Sequence, residues 1–141
     1  MAKKIKGSVD LVLGKFKFKN ENIFKGVVEI TKELKKINLN WYVDRKNIFT
    51  IKSGEWKIEF HFTLEMKPDF GEINLDGTCI AKSLDQNMPM YLANEFPPVM
   101  ATINYYIRLE CYKKCLKIAM QNNIPLIPVE YFMKLSSKKK S

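Results

Sequence analysis

Apolar and polar residues alternate most regularly between Lys57 and Met66, where Ile58, Phe60, Phe62, Leu64 and Met66 take one phase and Lys57, Glu59, His61, Thr63 and Glu65 the other. A period of two sends successive side chains to opposite faces, so this run predicts a strand with one buried and one wet side. Lys67-Pro68-Asp69-Phe70-Gly71 reads as a turn, after which Ile73, Leu75, Gly77, Cys79 and Ala81 alternate again; the two runs predict an antiparallel hairpin. Upstream, Ile37, Leu39, Trp41 and Val43 share a phase that continues through Phe49 and Ile51 to a Ser53-Gly54 turn, giving a third strand. Near the start, Val9, Leu11 and Leu13 hold one phase while Phe16 and Phe18 hold the other, and a glycine bulge at Gly14 accounts for the switch in a kinked first strand. Ile23 to Ile30 is apolar without a period and, with Thr31 to Lys36, reads as a crossover.

The second half of the chain changes period. Met88-Pro89-Met90-Tyr91-Leu92 and Phe96-Pro97-Pro98 lead into a long helix expected from Val99 to Gln121, with the prolines suited to its first turn. At 100° per residue Glu110, Lys113, Lys114, Lys117 and Gln121 gather in an arc of about 100°, and most of the remaining circumference is apolar. Met100, Ile103, Ile107, Cys111 and Ile118 lie on one side, and Tyr105, Leu109, Tyr112, Leu116 and Met120 on another. One sheet covers one side. The other is expected to pack on a second copy of the chain, with Ile103, Ile107, Leu109, Tyr112 and Leu116 at the oligomer interface, the alternative being cover by the chain's own termini. Beyond the helix, Pro125 and Pro128 hold Ile124 to Val129 extended, and Tyr131, Phe132, Met133 and Leu135 form an apolar end too small for a core of its own. The expected fold class is α+β: a four-stranded antiparallel sheet with a long C-terminal helix packed on it. It forms one domain over residues 1–141, with lysine-rich tails at 1–6 and 134–141.

Composition narrows the chemistry. The 141 residues carry a formal charge of +9, but seven of the 24 basic residues lie in the two tails. Between Gly7 and Met133, 17 basic residues face 15 acidic ones, so the body is nearly neutral; a nucleic-acid surface would need a basic stripe, of which Lys15, Lys17 and Lys19 could supply a short one. Lys15, Lys17 and Lys19 alternate with Phe16 and Phe18, as in an ordinary strand with one wet face. Three cysteines and one histidine do not make a zinc site, and no metal or cofactor is expected. Cys111 and Cys115, at i and i+4, read as small core residues. His61 falls on the polar phase of its strand with no nucleophile beside it, as a surface histidine with satisfied partners. Phosphate-binding glycine loops, a G-x-S-x-G elbow and an H-E-x-x-H motif do not occur, which argues for a binding protein rather than an enzyme. No apolar run approaches the ~18 residues of a membrane span. Met1 to Lys6 is basic but leads into no secretory core segment, so a cytoplasmic location is expected.

The order of elements resembles the SecB family of protein-export chaperones: four antiparallel strands with a long crossover after the first, a proline-bearing apolar approach, one long helix and a proline-rich apolar return. The residues that carry the resemblance are Lys57 to Met66, Phe70-Gly71-Glu72-Ile73-Asn74-Leu75-Asp76-Gly77-Thr78-Cys79-Ile80-Ala81, Tyr106-Ile107-Arg108-Leu109-Glu110-Cys111, and Ile124 to Phe132. They are patterns spread over residues 37–132, with 9–36 matching more loosely. The resemblance implies an ATP-independent holdase, a homotetramer built as a dimer of dimers with the long helices between sheets, that binds unfolded or nascent polypeptides and is linked to protein export. It also implies a client groove bordered by Ile23, Phe24, Val27, Val28 and Ile30 on one side and Leu126, Ile127, Val129, Tyr131 and Phe132 on the other. Apolar contact area with little demand for exact polar partners is what a promiscuous site requires. The charge departs from the family, whose members carry an acidic outer sheet face that docks the export motor; here Lys57, Glu59, Glu65, Glu72 and Asp76 mix both signs. The alternative reading is a small basic nucleic-acid-binding protein, and a third is a structural or specific-partner module.

Overall fold

The computed structural model describes residues 9–25, 38–67, 71–122, 124 and 126–134, and for Phe24, Lys25, Asn38 and Lys67 the backbone alone. Four strands, β1 (Val12–Lys25), β2 (Asn38–Lys52), β3 (Glu55–Lys67) and β4 (Gly71–Lys82), form one antiparallel sheet in the order β1-β4-β3-β2. Helices α1 (Met88–Ala93), α2 (Pro97–Gln121) and α3 (Val129–Phe132) follow. The architecture is the α+β arrangement that the hydrophobic pattern predicts.

In β3 the alternation is realised without a break: Ile58, Phe60, Phe62, Leu64 and Met66 are buried on the inner face, facing the same core as Ile73, Leu75, Cys79 and Ala81 of β4. β2 and β3 join through Ser53 and Gly54, with Lys52 paired to Glu55. Gly54 adopts φ 80°, a left-handed conformation that favours glycine, and its carbonyl accepts the Ser83 N–H at 3.1 Å.

Two strands depart from a single phase. On β2 the pairing shifts between Arg45 and Asn47, and this bulge reverses the alternation that the sequence carries through Phe49 and Ile51. Ile48 packs on the core instead, and Phe49 and Ile51 stay 49% and 50% exposed. On β1 the register shifts between Gly14 and Lys17, where a bulge is expected, but the left-handed residue is Lys15 at φ 50° rather than Gly14. Phe16 and Phe18 then meet Phe60 on the inner face, at ring separations of 6.0 and 6.2 Å. β1 also runs further than expected: Ile23, Phe24 and Lys25 pair with Ile73, Glu72 and Gly71, so the start of the expected crossover is strand. The rest of it, with Val27, Val28 and Ile30, lies outside the described residues.

Gly77, in the middle of β4, has no room for a side chain. A Cβ there would sit 2.5 Å from the Lys17 carbonyl oxygen and 2.8 Å from Cζ of Phe60. The carbonyl belongs to the adjoining strand and cannot retreat without disturbing the β1–β4 ladder. Gly77→Ala is therefore expected to cost about 1–3 kcal/mol, the usual range for overpacking, read as a lower urea midpoint with unchanged m.

α2 is 25 residues long, about 37 Å at helical rise. Pro97 and Pro98 occupy its first turn, where their missing N–H groups cost nothing. Val99, Met100, Ile103, Ile107, Cys111, Cys115 and Ile118 are buried along it, on the stripe that meets the sheet. A neighbouring stripe, Arg108, Tyr112 and Ala119, is buried as well, beneath the returning C-terminal segment. The chain's own terminus thus covers the flank that includes Tyr112. Of the five residues expected at an oligomer interface, Ile103, Ile107 and Tyr112 are buried by the chain itself, while Leu109 and Leu116 remain partly open. With Tyr105, 51% exposed, and Met120, 81% exposed, they form an apolar outer face on α2.

Candidate functional site

The C-terminal segment is held to α2 by a stacked aromatic ring and by hydrogen bonds from α2 side chains to its backbone. Phe132 stacks on Tyr112 with ring centroids 3.7 Å apart and planes 5° from parallel, and it meets Trp41 of β2 at 6.3 Å and 61°. The Arg108 guanidinium lies 4.1 Å from the Trp41 ring centroid and 4.7 Å from that of Phe132, so a cation is held against two aromatic faces. Arg108 Nη2 donates to the Phe132 carbonyl, and the Tyr112 hydroxyl donates to the Ile127 carbonyl at 2.6 Å. Both side chains therefore grip the backbone of the segment rather than its side chains. Burial raises the Tyr112 phenol above its ordinary pKa, which keeps it a donor.

Pro128 is extended at φ −58° and ψ 152° and caps the single turn of α3. One turn cannot bury all its apolar side chains on one face: Phe132 points into the core, Tyr131 outward, and Leu126, Ile127 and Val129 remain half-buried along the seam. Four of the residues expected to touch a client, Leu126, Ile127, Val129 and Tyr131, are thus brought together at the surface, and Phe132 is fully enclosed by the chain itself. The other expected border is elsewhere. Ile23 lies on β1 and the seam abuts Trp41 on β2, at opposite edges of the sheet. Phe24 pairs by its backbone with Glu72, and Val27, Val28 and Ile30 lie outside the described residues.

Trp41 and Arg108 are site residues that sequence reasoning missed. A signal existed for Arg108: it is a charge set between Ile107 and Leu109, outside the polar arc of the helix, where an arginine must find buried partners. Trp41 gave none, because an inward tryptophan on a strand is ordinary core.

Among the described residues, no group of three or more His, Cys, Asp or Glu side chains gathers as a metal site. Cys79, Cys111 and Cys115 are free and buried. Burial pushes the Cys79 thiol up to about 12 and raises Cys111 and Cys115 further. The thiolate is the reactive form, so in the native protein at pH 8 all three are expected to resist a disulfide reagent and to react together once the chain is unfolded. A fast-reacting thiol in the native state would contradict this packing. Among the described residues, no helix is long and apolar enough to cross a membrane.

No family model and no curated protein matches this chain. Among solved structures, it is similar to the Mycobacterium tuberculosis SecB-like chaperone Rv1957, determined in complex with a ChAD peptide from the Rv1956 HigA1 antitoxin. The likeness covers 84% of each chain with a TM-score of 0.56 at 6% sequence identity. At that identity the likeness is one of fold: the chain has the antiparallel sheet and long helix of a SecB-like chaperone.

Proposed function

We propose that this protein is an ATP-independent holdase that binds unfolded or nascent polypeptides in the cytoplasm and works as a homo-oligomer, most simply a tetramer. The observation that carries the reading is the half-open apolar seam of Leu126, Ile127, Val129 and Tyr131, fixed to the long helix of a fold shared with a chaperone whose structure holds a peptide. Ile23 lies at the opposite edge of the sheet from this seam, so client contact is placed at the seam and not on the border expected at Ile23 and Phe24. The seam supplies apolar contact area and makes few side-chain-specific demands, which suits clients of many sequences. The open face of α2, with Leu109 and Leu116, is the surface through which copies associate. The lack of a phosphate-binding motif agrees with action without nucleotide. A link to protein export rests on the fold alone.

The test is aggregation of a guanidinium-unfolded reporter enzyme diluted into buffer, followed by light scattering with and without ATP. The protein at a few-fold excess is expected to suppress scattering equally in both, and the double variant Leu126→Ser, Tyr131→Ser to suppress it less. Unchanged aggregation at several-fold excess of the unmodified protein would remove the holdase reading.

A further inference from the structure

The near neutrality of the body hides a polarised outer sheet face, which the chaperone proposal does not use. Strand register lays that face out in rows across β1, β4, β3 and β2, alternating with inner rows such as Leu13, Ala81 and Trp56. The outer row at the β2–β3 hairpin end is Val12, Lys82, Glu55 and Lys52, and the next is Gly14, Ile80, Lys57 and Phe49. Lys17 and Glu59 stand in the third. Glu55 is bound by Lys52 at 3.3 Å and Glu59 lies 3.8 Å from Lys19, so both carboxylates have an ammonium partner. Lys17, Lys57 and Lys82 make no ion pair among the described residues. The far rows carry the opposite sign: Asp76 and Asp44, the latter bound by Lys46 at 2.9 Å, and then Glu72 and Glu65. Because β1 begins at the hairpin end, residues 1–8, with Lys3, Lys4 and Lys6, join the chain there as well.

Apolar side chains gather at the same end. Val12, Phe49 and Ile51 are exposed, and Leu84, two residues beyond β4, is 94% exposed. Its backbone is not loose: the Ser83 N–H donates to the Gly54 carbonyl at 3.1 Å and the Leu84 N–H to Asp10 at 3.2 Å. The fold thus fixes this segment while leaving its leucine in water. We propose that the hairpin end of the sheet docks on an anionic lipid surface, with Phe49, Ile51 and Leu84 entering the interface and Lys17, Lys57 and Lys82 meeting the headgroups. Asp10 and Asp85, also at this end, are engaged by the backbone N–H groups of Leu84 and Asn87. Such a surface repels the acidic far rows, so the molecule stands on it hairpin end down. Trp41, against which the seam lies, pairs with Leu64 toward the far end, and the seam stays in water. A second copy fits less well. A two-fold contact centred on Phe49 sets lysines against lysines, and one centred on the middle of the face sets Phe49 against carboxylates. Single-stranded nucleic acid needs rings to stack on, and Phe49 is the one aromatic residue in the three near rows.

Flotation of the full chain with vesicles of phosphatidylglycerol and phosphatidylcholine, against vesicles of phosphatidylcholine alone, tests this. The protein is expected to float with the anionic vesicles, to stay behind with the neutral ones, and to be released by salt high enough to screen the lysines. Phe49→Ser with Leu84→Ser is expected to weaken binding about tenfold or more, as the loss of large apolar side chains from the interface should, and Lys57→Glu with Lys82→Glu to weaken it as strongly. Circular dichroism verifies the fold of both, and Leu84→Ser alone, at an almost fully exposed position, serves the same comparison. Suppression of reporter aggregation, a property of the seam, is expected to be unchanged in all of these variants, so a failure of docking and a failure of the holdase reading are told apart. Three results would overturn the proposal: no flotation with anionic vesicles; flotation unmoved by either double variant, which would assign it to the terminal lysines; and binding of a single-stranded oligonucleotide, or a change of oligomeric mass, that depends on these residues while vesicle binding does not.

Discussion

Ile107→Lys is expected to abolish the folded state. Ile107 sits with no solvent exposure on the stripe of α2 that meets the sheet, among Ile103, Cys111 and the inward residues of β3. A lysine there loses the packing of the isoleucine and places an ammonium where no carboxylate is described. Leaving a charge buried without a partner costs several kcal/mol even after relaxation, a large part of the 5–15 kcal/mol that holds a domain of this kind together. Near-ultraviolet circular dichroism should show the loss of fixed aromatic packing, and urea should give no cooperative transition. Ile107→Val keeps the shape of the site and is expected to cost only about 1 kcal/mol. A cooperative, native-like Ile107→Lys protein would mean that α2 does not lie on the sheet as described.

Leu116→Lys is expected to act differently, although it changes the same helix by the same chemistry. Leu116 is half-buried on the outer face with Leu109, Tyr105 and Met120, and a lysine there can run its stem along the surface and keep its charge in water. The monomer should fold. What the substitution removes is the apolar face itself, which an isolated monomer would leave exposed to water and which association of copies would cover. A charge forced into that contact is expected to weaken association by on the order of 100-fold or more, so Leu116→Lys should run as a folded monomer where the unmodified protein does not. The two lysine variants thus separate residues that the helical period alone places in one interface. Ile103, Ile107 and Tyr112 are buried by the chain itself, and of the five only Leu109 and Leu116 stay partly open for the proposed assembly.

The hairpin and the long helix were legible because their periods run unbroken: β3 alternates from Lys57 to Met66, and Pro97 and Pro98 mark where α2 begins. β2 was misread past Arg45 for a specific reason. A bulge adds one residue to one strand, so Phe49 and Ile51 keep the parity of Trp41 and Val43 in the sequence while exchanging faces in the sheet. The helix was read as apolar on two sides, correctly, but the period cannot say what lies against each. A carbonyl grip by Arg108 and Tyr112 on a segment some 20 residues on is a tertiary fact with no local pattern. The candidate site was legible in the same measure. Leu126 to Tyr131 stood out as an apolar run that had to lie on something, whereas the pairing of Ile23 with Ile73 depends on how far β1 extends, and the apolar run from Ile23 to Ile30 has no period that would show it.

The central claim, that this chain is an oligomer that holds unfolded polypeptide, is tested most directly by multi-angle light scattering on the protein alone and after mixing with a chemically unfolded protein. The account predicts a mass well above the 16.5 kDa of one chain, with a tetramer as the expected state, and a heavier species containing both proteins when the unfolded partner is added without nucleotide. A stable 16.5 kDa monomer whose elution and mass are unchanged by the unfolded protein would contradict it.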